Sequence, residues 1–97
     1  MVRQVKLVAV VTDSSGNRLS NMYVAFEYSE ASGSPYRLGA VYTDSNGVAE
    51  MTISLTPGTY NFSAIFTGTR YFRESRADVI GYVVKDKTTI TFNITPL

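Results

Sequence analysis

Apolar residues recur at every second position through most of this chain, in short runs separated by turn-forming residues. Val5, Leu7, Ala9 and Val11 share one face of a first run, and Val8 and Val10 make the other face largely apolar too, which predicts a central strand over Val5–Val11. Val24, Phe26 and Tyr28 mark a second strand over Tyr23–Tyr28, and Tyr36, Leu38, Ala40 and Tyr42 align on one side of a third over Tyr36–Thr43. In a fourth, Val48–Leu55, the residues Ala49, Met51, Ile53 and Leu55 alternate with Glu50, Thr52 and Ser54, so one face is buried and the other wet. Tyr60, Phe62, Ala64 and Phe66 form the strongest same-face series and predict the core strand. Ala77–Val84 and Thr88–Ile94 complete the set as a hairpin about Lys85-Asp86-Lys87, with Ile90, Phe92 and Ile94 inward.

The connections carry their own signals. The turn Thr12-Asp13-Ser14-Ser15-Gly16 recurs as Thr43-Asp44-Ser45-Asn46-Gly47. In each copy the Asp can hydrogen-bond its own backbone two residues on, and the Gly can take positive φ without steric cost. Ser29–Pro35 reads as a loop, Thr56-Pro57-Gly58-Thr59 as a type II turn, and Gly68–Ser75 as an irregular crossing. No window of eleven or more residues sustains helical spacing without Gly, Pro or β-branched interruption. Two packed sheets bury the alternating stripes, whereas one seven-stranded sheet would expose an apolar face. The expectation is an all-β, seven-stranded, two-sheet sandwich with Greek-key connections, formed by residues 1–97 as a single domain excised from or repeated in a larger protein.

The order of these pieces resembles immunoglobulin-like and prealbumin-like (carboxypeptidase regulatory-like) domains of bacterial and archaeal surface proteins. The resembling stretches are Val10–Val24 around the first Asp turn, Tyr42–Ala49 around the second, Leu55–Ala64 with its Pro57-Gly58-Thr59-Tyr60 strand start, and Phe66–Ser75 with Gly68-Thr69-Arg70-Tyr71. The resemblance covers about residues 5 to 84. It implies an extracellular or cell-surface location and roles as varied as stalks, adhesin modules, accessory domains of secreted enzymes and glycan binders. Some such domains carry an internal Lys-to-Asn isopeptide bond. Here Lys6, Asn93 and either Glu27 or Glu50 would have to supply it, but Lys6 falls off the better apolar face and its surroundings do not match the family's pattern, so a surface lysine is expected.

Composition narrows the function classes. Apolar residues make up 44% of the chain, which suits a globular core rather than a disordered spacer. Nine Lys and Arg against eight Asp and Glu leave a net charge of +1, too little to attract nucleic acid or an anionic membrane. The longest uninterrupted apolar run, Leu7–Val11, is far short of the roughly 20 residues that span a bilayer, so no membrane insertion is expected. With no Cys and no His, thiolate and imidazole metal sites and the usual nucleophile–base pairs are unavailable. The carboxylates are scattered, and no pair is spaced for glycosidase chemistry. A non-catalytic chain without a cofactor is the expectation.

Three groups of residues are candidates for contact with a ligand or partner. Arg70, Tyr71 and Arg73, with Phe72 and Arg76, form the one local basic and aromatic cluster, and guanidinium groups beside rings suit an anionic glycan or a protein. There Tyr71 is expected to plug one end of the core. Tyr23, Tyr36, Tyr42 and Tyr82 could form an exposed tyrosine row. Asp13 and Asp44 are weak candidates for Ca²⁺ with a third carboxylate such as Glu74 or Asp78, although capping of their own turns is the plainer reading. Asn61-Phe62-Ser63 and Asn93-Ile94-Thr95 match the N-glycosylation acceptor pattern, which arises often by chance.

The leading functional expectation is a structural or adhesive stalk or spacer of a microbial surface protein, whose partners are neighbouring domains of the same chain or another protein. The alternatives are a carbohydrate-binding accessory domain of a secreted enzyme, and a filament or capsid subunit joined through edge strands.

Overall fold

The computed structural model describes residues 1–30 and 33–96. Seven strands form in the order expected: β1 (Arg3–Val11), β2 (Tyr23–Glu30), β3 (Tyr36–Tyr42), β4 (Val48–Leu55), β5 (Gly58–Phe66), β6 (Ser75–Val84) and β7 (Thr88–Ile94). They divide into a three-stranded sheet, β4-β1-β7, and a four-stranded sheet, β3-β2-β5-β6. β1 is central, as expected. It pairs antiparallel with β4 and parallel with β7, in unbroken register on both sides.

The core lies between the sheets. Val5, Leu7, Ala9 and Val11 of β1 and Ile90, Phe92 and Ile94 of β7 face Val24 and Phe26 of β2 and Tyr60, Phe62, Ala64 and Phe66 of β5, all buried. Phe26 and Phe92 meet across the gap with ring centroids 6.3 Å apart. The series read as the core strand is therefore a central strand of the larger sheet.

Several expectations are corrected. β6 and β7 are not a hairpin, because β6 pairs with β5 in one sheet and β7 with β1 in the other. Each has an apolar stripe, and placing the two in opposite layers buries both; Lys85-Asp86-Lys87 carries the chain across, and the Tyr82 and Thr88 hydroxyls meet at 2.7 Å over the corner. Conversely, Gly68–Ser75 does not cross between sheets, since it closes the β5–β6 hairpin. Gly58 lacks the positive φ of a type II turn and instead opens β5 opposite Val84. The Tyr60 hydroxyl donates to the Thr56 carbonyl at 2.7 Å and holds that corner. β2 runs on to Glu30, shortening the expected Ser29–Pro35 loop, of which Ala31 and Ser32 lie outside the described residues.

Two bulges break the alternation that the sequence suggests. In β3 the register slips by one at Leu38, beside Gly39 with φ +152°. Tyr36, Leu38, Ala40 and Tyr42 therefore do not share a face: Leu38 packs on the core, while Ala40 and Tyr42 point outward opposite Ala25 and Tyr23. In β6 an extra residue lies between Val79 and Tyr82, where Gly81 takes φ +68° and its N–H donates to Asn61 Oδ1 at 2.8 Å.

Arg3 opens β1 at one pole of the sandwich and Ile94 closes β7 at the other. Arg3 Nε donates to the Lys85 carbonyl at the first pole, and the Ile94 carbonyl accepts Thr12 N–H at 3.0 Å at the second. The molecule measures 41 × 24 × 20 Å. A nine-residue strand spans about 30 Å, so the long axis is that of the strands with the turns added at each end.

Candidate functional site

The second pole gathers most of the residues singled out in the sequence. Both Asp turns lie there, carrying the chain from β1 to β2 and from β3 to β4, from one sheet to the other in each case. The two are built alike. Asp13 Oδ1 accepts the Ser15 and Asn17 amides at 2.9 Å each, and Asp44 Oδ1 accepts those of Asn46 and Val48 at 2.8 and 3.0 Å. Each Asp carbonyl takes the Gly amide three residues on at 3.0 Å, with Gly16 at φ +88° and Gly47 at φ +74°. The Asn17 amide, helped by its side chain, holds the Asp13 carboxyl below its ordinary pKa. In each turn Oδ1 is thus engaged by its own backbone. Among the described residues, no group of three or more His, Cys, Asp or Glu side chains is placed to hold a metal ion.

The hairpin loop after β5 stands at the same pole, where Thr67 N–H reaches toward the Tyr23 carbonyl at 3.4 Å. Gly68 takes φ +94°, and a Cβ there would lie 3.2 Å from the Glu74 amide nitrogen, so this tight loop start needs glycine. Thr69 Oγ1 accepts the amides of Tyr71 and Phe72 at 3.1 and 3.2 Å, and Thr69 N–H donates to the Phe72 carbonyl. This winding turns Phe72 onto the core and leaves Arg70, Tyr71 and Arg73 exposed around a shallow depression. Tyr71 is 80% exposed, so Phe72 is the plug that the sequence had suggested for Tyr71.

The tyrosines divide between the poles. Tyr23 and Tyr42 stand opposite each other on the outer face of the four-stranded sheet, exposed, with centroids 4.7 Å apart and planes inclined by 48°. Tyr36 and Tyr82 belong to the first pole. There Tyr36 packs edge-on against Tyr28, Tyr28 against Tyr60, and Phe62 against the half-buried Tyr82. Among the described residues no single tyrosine row forms: Tyr23 and Tyr42 make one exposed pair, Tyr36 is exposed separately at the far end, and Tyr28, Tyr60 and Tyr82 close the core there.

Beside the Tyr23–Tyr42 pair, the outer face carries a polar network that the sequence only hints at. Arg37 donates through Nε and Nη2 to Glu27 Oε2 at 3.0 and 2.8 Å. On the neighbouring strands Arg76 grips Asp78, with Nη2 to Oδ1 at 2.8 Å, and the Ser63 hydroxyl also donates to Asp78. Arg76, and secondarily Ser63, holds the Asp78 carboxyl below its ordinary pKa, and Asp78 in turn raises that of Arg76. Between these pairs Ala25 and Ile65 are buried although they face away from the core. The opposite charges at Arg76 and Asp78, two apart on one strand face, were readable; the Glu27–Arg37 pairing depends on the Leu38 bulge and was not.

Lys6 lies on the outer face of the smaller sheet, 3.2 Å from Glu50 and opposite Thr89. Asn93 is opposite Val10, four residues further along, or about 13 Å in a strand. A Lys6–Asn93 crosslink is geometrically out of reach.

No protein-family model and no curated protein sequence matches the chain. Among solved structures, it is similar to chlorocatechol 1,2-dioxygenase from Pseudomonas putida, with a TM-score of 0.65 at 12% identity over 98% of this chain and 60% of that one. It is also similar to a Streptococcal ancillary pilin, with a TM-score of 0.50 at 22% identity over all of this chain and 33% of that one. The C-terminal fragment of the pilus adhesin SpaC from Lactobacillus rhamnosus GG aligns at a TM-score of 0.46 and 13% identity over 97% of this chain and 45% of that fragment. The chain thus spans less than two thirds of each of these structures. At such identities the likeness is one of fold, an immunoglobulin-like or prealbumin-like sandwich that serves an enzyme in one protein and a pilin in another.

Proposed function

We propose that this sandwich is a non-catalytic structural module, a spacer within an extracellular or cell-surface protein that holds its neighbours apart along the strand axis. The observation that carries this reading is the placement of Arg3 and Ile94 at opposite poles of a 41 Å long axis, on strands that lie side by side and run parallel. Segments joined at these points are set a full module length apart. Tension between them is borne in shear by the β1–β7 ladder, whose seven residue pairs must fail together rather than open one at a time. The pilin likeness in fold agrees with this use, and the chain offers neither His nor Cys for nucleophilic or general-base work.

Small-angle X-ray scattering of two copies fused in tandem tests the spacer reading. The maximum dimension is expected to grow by about one module length, roughly 40 Å, per added copy. A folded-back pair no longer than a single module would refute it. A glycan-binding reading finds less support, since two rings inclined by 48° do not make the flat platform on which a sugar face stacks.

A further inference from the structure

The two sheets have four outer edges, and three of them carry features that discourage another strand from pairing. β3 has a bulge at Leu38 and a charge at Arg37; β6 has a bulge at Gly81 and charges at Arg76 and Asp78; β4 has Glu50 in its first half, paired with Lys6. Bulges and charges are the usual protection of exposed edges. β7 has neither. Its sequence, Thr88-Thr89-Ile90-Thr91-Phe92-Asn93-Ile94, is uncharged, free of Gly and Pro, rich in β-branched residues, and in unbroken register with β1.

The free side of β7 can be assigned residue by residue. The Ile94 carbonyl bonds Thr12 N–H, so the amide and carbonyl of Ile94 point toward β1, as do those of Phe92 and Ile90 by alternation. The amides and carbonyls of Thr89, Thr91 and Asn93 therefore point away, along the open edge. Their side chains are exposed on the outer face, while Ile90, Phe92 and Ile94 are buried beneath.

We propose that β7 is a self-association edge, and that its occupant is β7 of a second copy, antiparallel about a two-fold axis through Thr91. That register sets Thr91 opposite its own mate and Thr89 opposite Asn93, so all three outward-facing residues exchange both backbone hydrogen bonds with a partner. Thr–Thr and Thr–Asn pairs stack on the outer face, and no like charges are opposed. The result is a continuous six-stranded sheet, β4-β1-β7 joined to its symmetry mate. The contact is small compared with stable dimer interfaces, so the association is weak and reversible, in the micromolar to millimolar range. It does not depend on the spacer reading.

Sedimentation velocity from micromolar concentrations to about 1 mM, with amide NMR shifts recorded on dilution of the unaltered protein, tests this. A concentration-dependent dimer is expected, with shifts confined to β7 and centred on the Thr89, Thr91 and Asn93 amides. Thr91→Lys and Thr91→Glu each oppose like charges at the axis and should weaken self-association about tenfold or more, and mixing the two variants should restore it. Thr52→Lys on β4 should leave it unchanged. A protein that stays monomeric throughout, a dimer indifferent to both Thr91 variants, or dilution shifts on another edge would each overturn the proposal.

Discussion

Val11 and Gly47 bind the two Asp turns into one unit: Val11 N–H donates to the Gly47 carbonyl at 2.9 Å, and the Val11 carbonyl accepts Leu19 N–H at 2.9 Å beside it. A Cβ on Gly47 would lie 2.9 Å from that Val11 oxygen and 3.0 Å from the Arg18 Cβ. Gly16, its counterpart in the first turn, has open space where its Cβ would be. Matching turns at the sequence level are therefore unequal in the fold, since one is packed against the other's stem.

Gly16→Ala and Gly47→Ala should separate these two situations. Both place Ala at positive φ, at a cost of about 1 to 2 kcal/mol. Gly47→Ala also forces backbone apart and should cost about 3 kcal/mol in all. Urea unfolding of the two variants checks the difference, and equal losses would show that the turn stems do not pack as described.

Asp13 and Asp78 predict how stability varies with acid. Both carboxyls sit below their ordinary pKa in the folded protein, Asp13 through the Asn17 amide and Asp78 through Arg76. The folded state binds these protons less readily than the unfolded chain, so their stabilisation is complete above the unfolded value near 4 and is lost as pH falls through the lower folded values. Melting temperature should decline below about pH 4. Asp13→Asn with Asp78→Asn should lower it at neutral pH and flatten that acid limb; an unchanged slope would remove these two groups from the account.

Phe92, flanked by the buried Ile90 and Ile94, is the largest side chain that β7 turns toward the opposite sheet, where it meets Phe26. Phe92→Ala should cost about 3 to 5 kcal/mol, a large part of the stability of a domain this size. Phe92→Leu should cost distinctly less. Thermal unfolding distinguishes them, and a small loss for Phe92→Ala would mean that β7 is not a core strand.

Arg76 stands opposite Ile65 on the outer face of the four-stranded sheet and is held by Asp78 and Ser63. Arg76→Ala should uncover Ile65 while removing an exposed ion pair, for a loss of under about 1 kcal/mol. Arg76→Lys should not restore the planar grip on Asp78. Hydrophobic-dye binding that rises for Arg76→Ala without global unfolding would mark the uncovered apolar floor, and no rise would show that Arg76 does not cover it.

The strands were legible because inward residues alternate strictly where the register is unbroken, as in β1, β4 and β7. Reading failed where one residue broke the period. Leu38 in β3 turns Ala40 and Tyr42 to the outer face, and the extra residue at Ile80-Gly81 does the same kind of work in β6. Sheet membership was also hidden: a short polar turn such as Lys85-Asp86-Lys87 can close a hairpin or cross a sandwich, and only the pairing of β7 with the distant β1 decides which. The candidate surface was partly readable. Tyr23 and Tyr42 are exposed as an adjacent pair, but Tyr71 and Phe72 differ in fate through two hydrogen bonds to Thr69 Oγ1, which alternation does not encode.

Tension applied at the start of β1 and at the end of β7 loads the two parallel strands in shear. Single-molecule pulling compares this geometry with a second one on the same protein. Handles at Val2 and Thr95 load the ladder along its length, whereas handles at Lys87 and Val2, both at the first pole, peel β7 from its start. A markedly higher unfolding force is expected for the end-to-end pull. Equal forces in the two geometries would contradict the spacer reading.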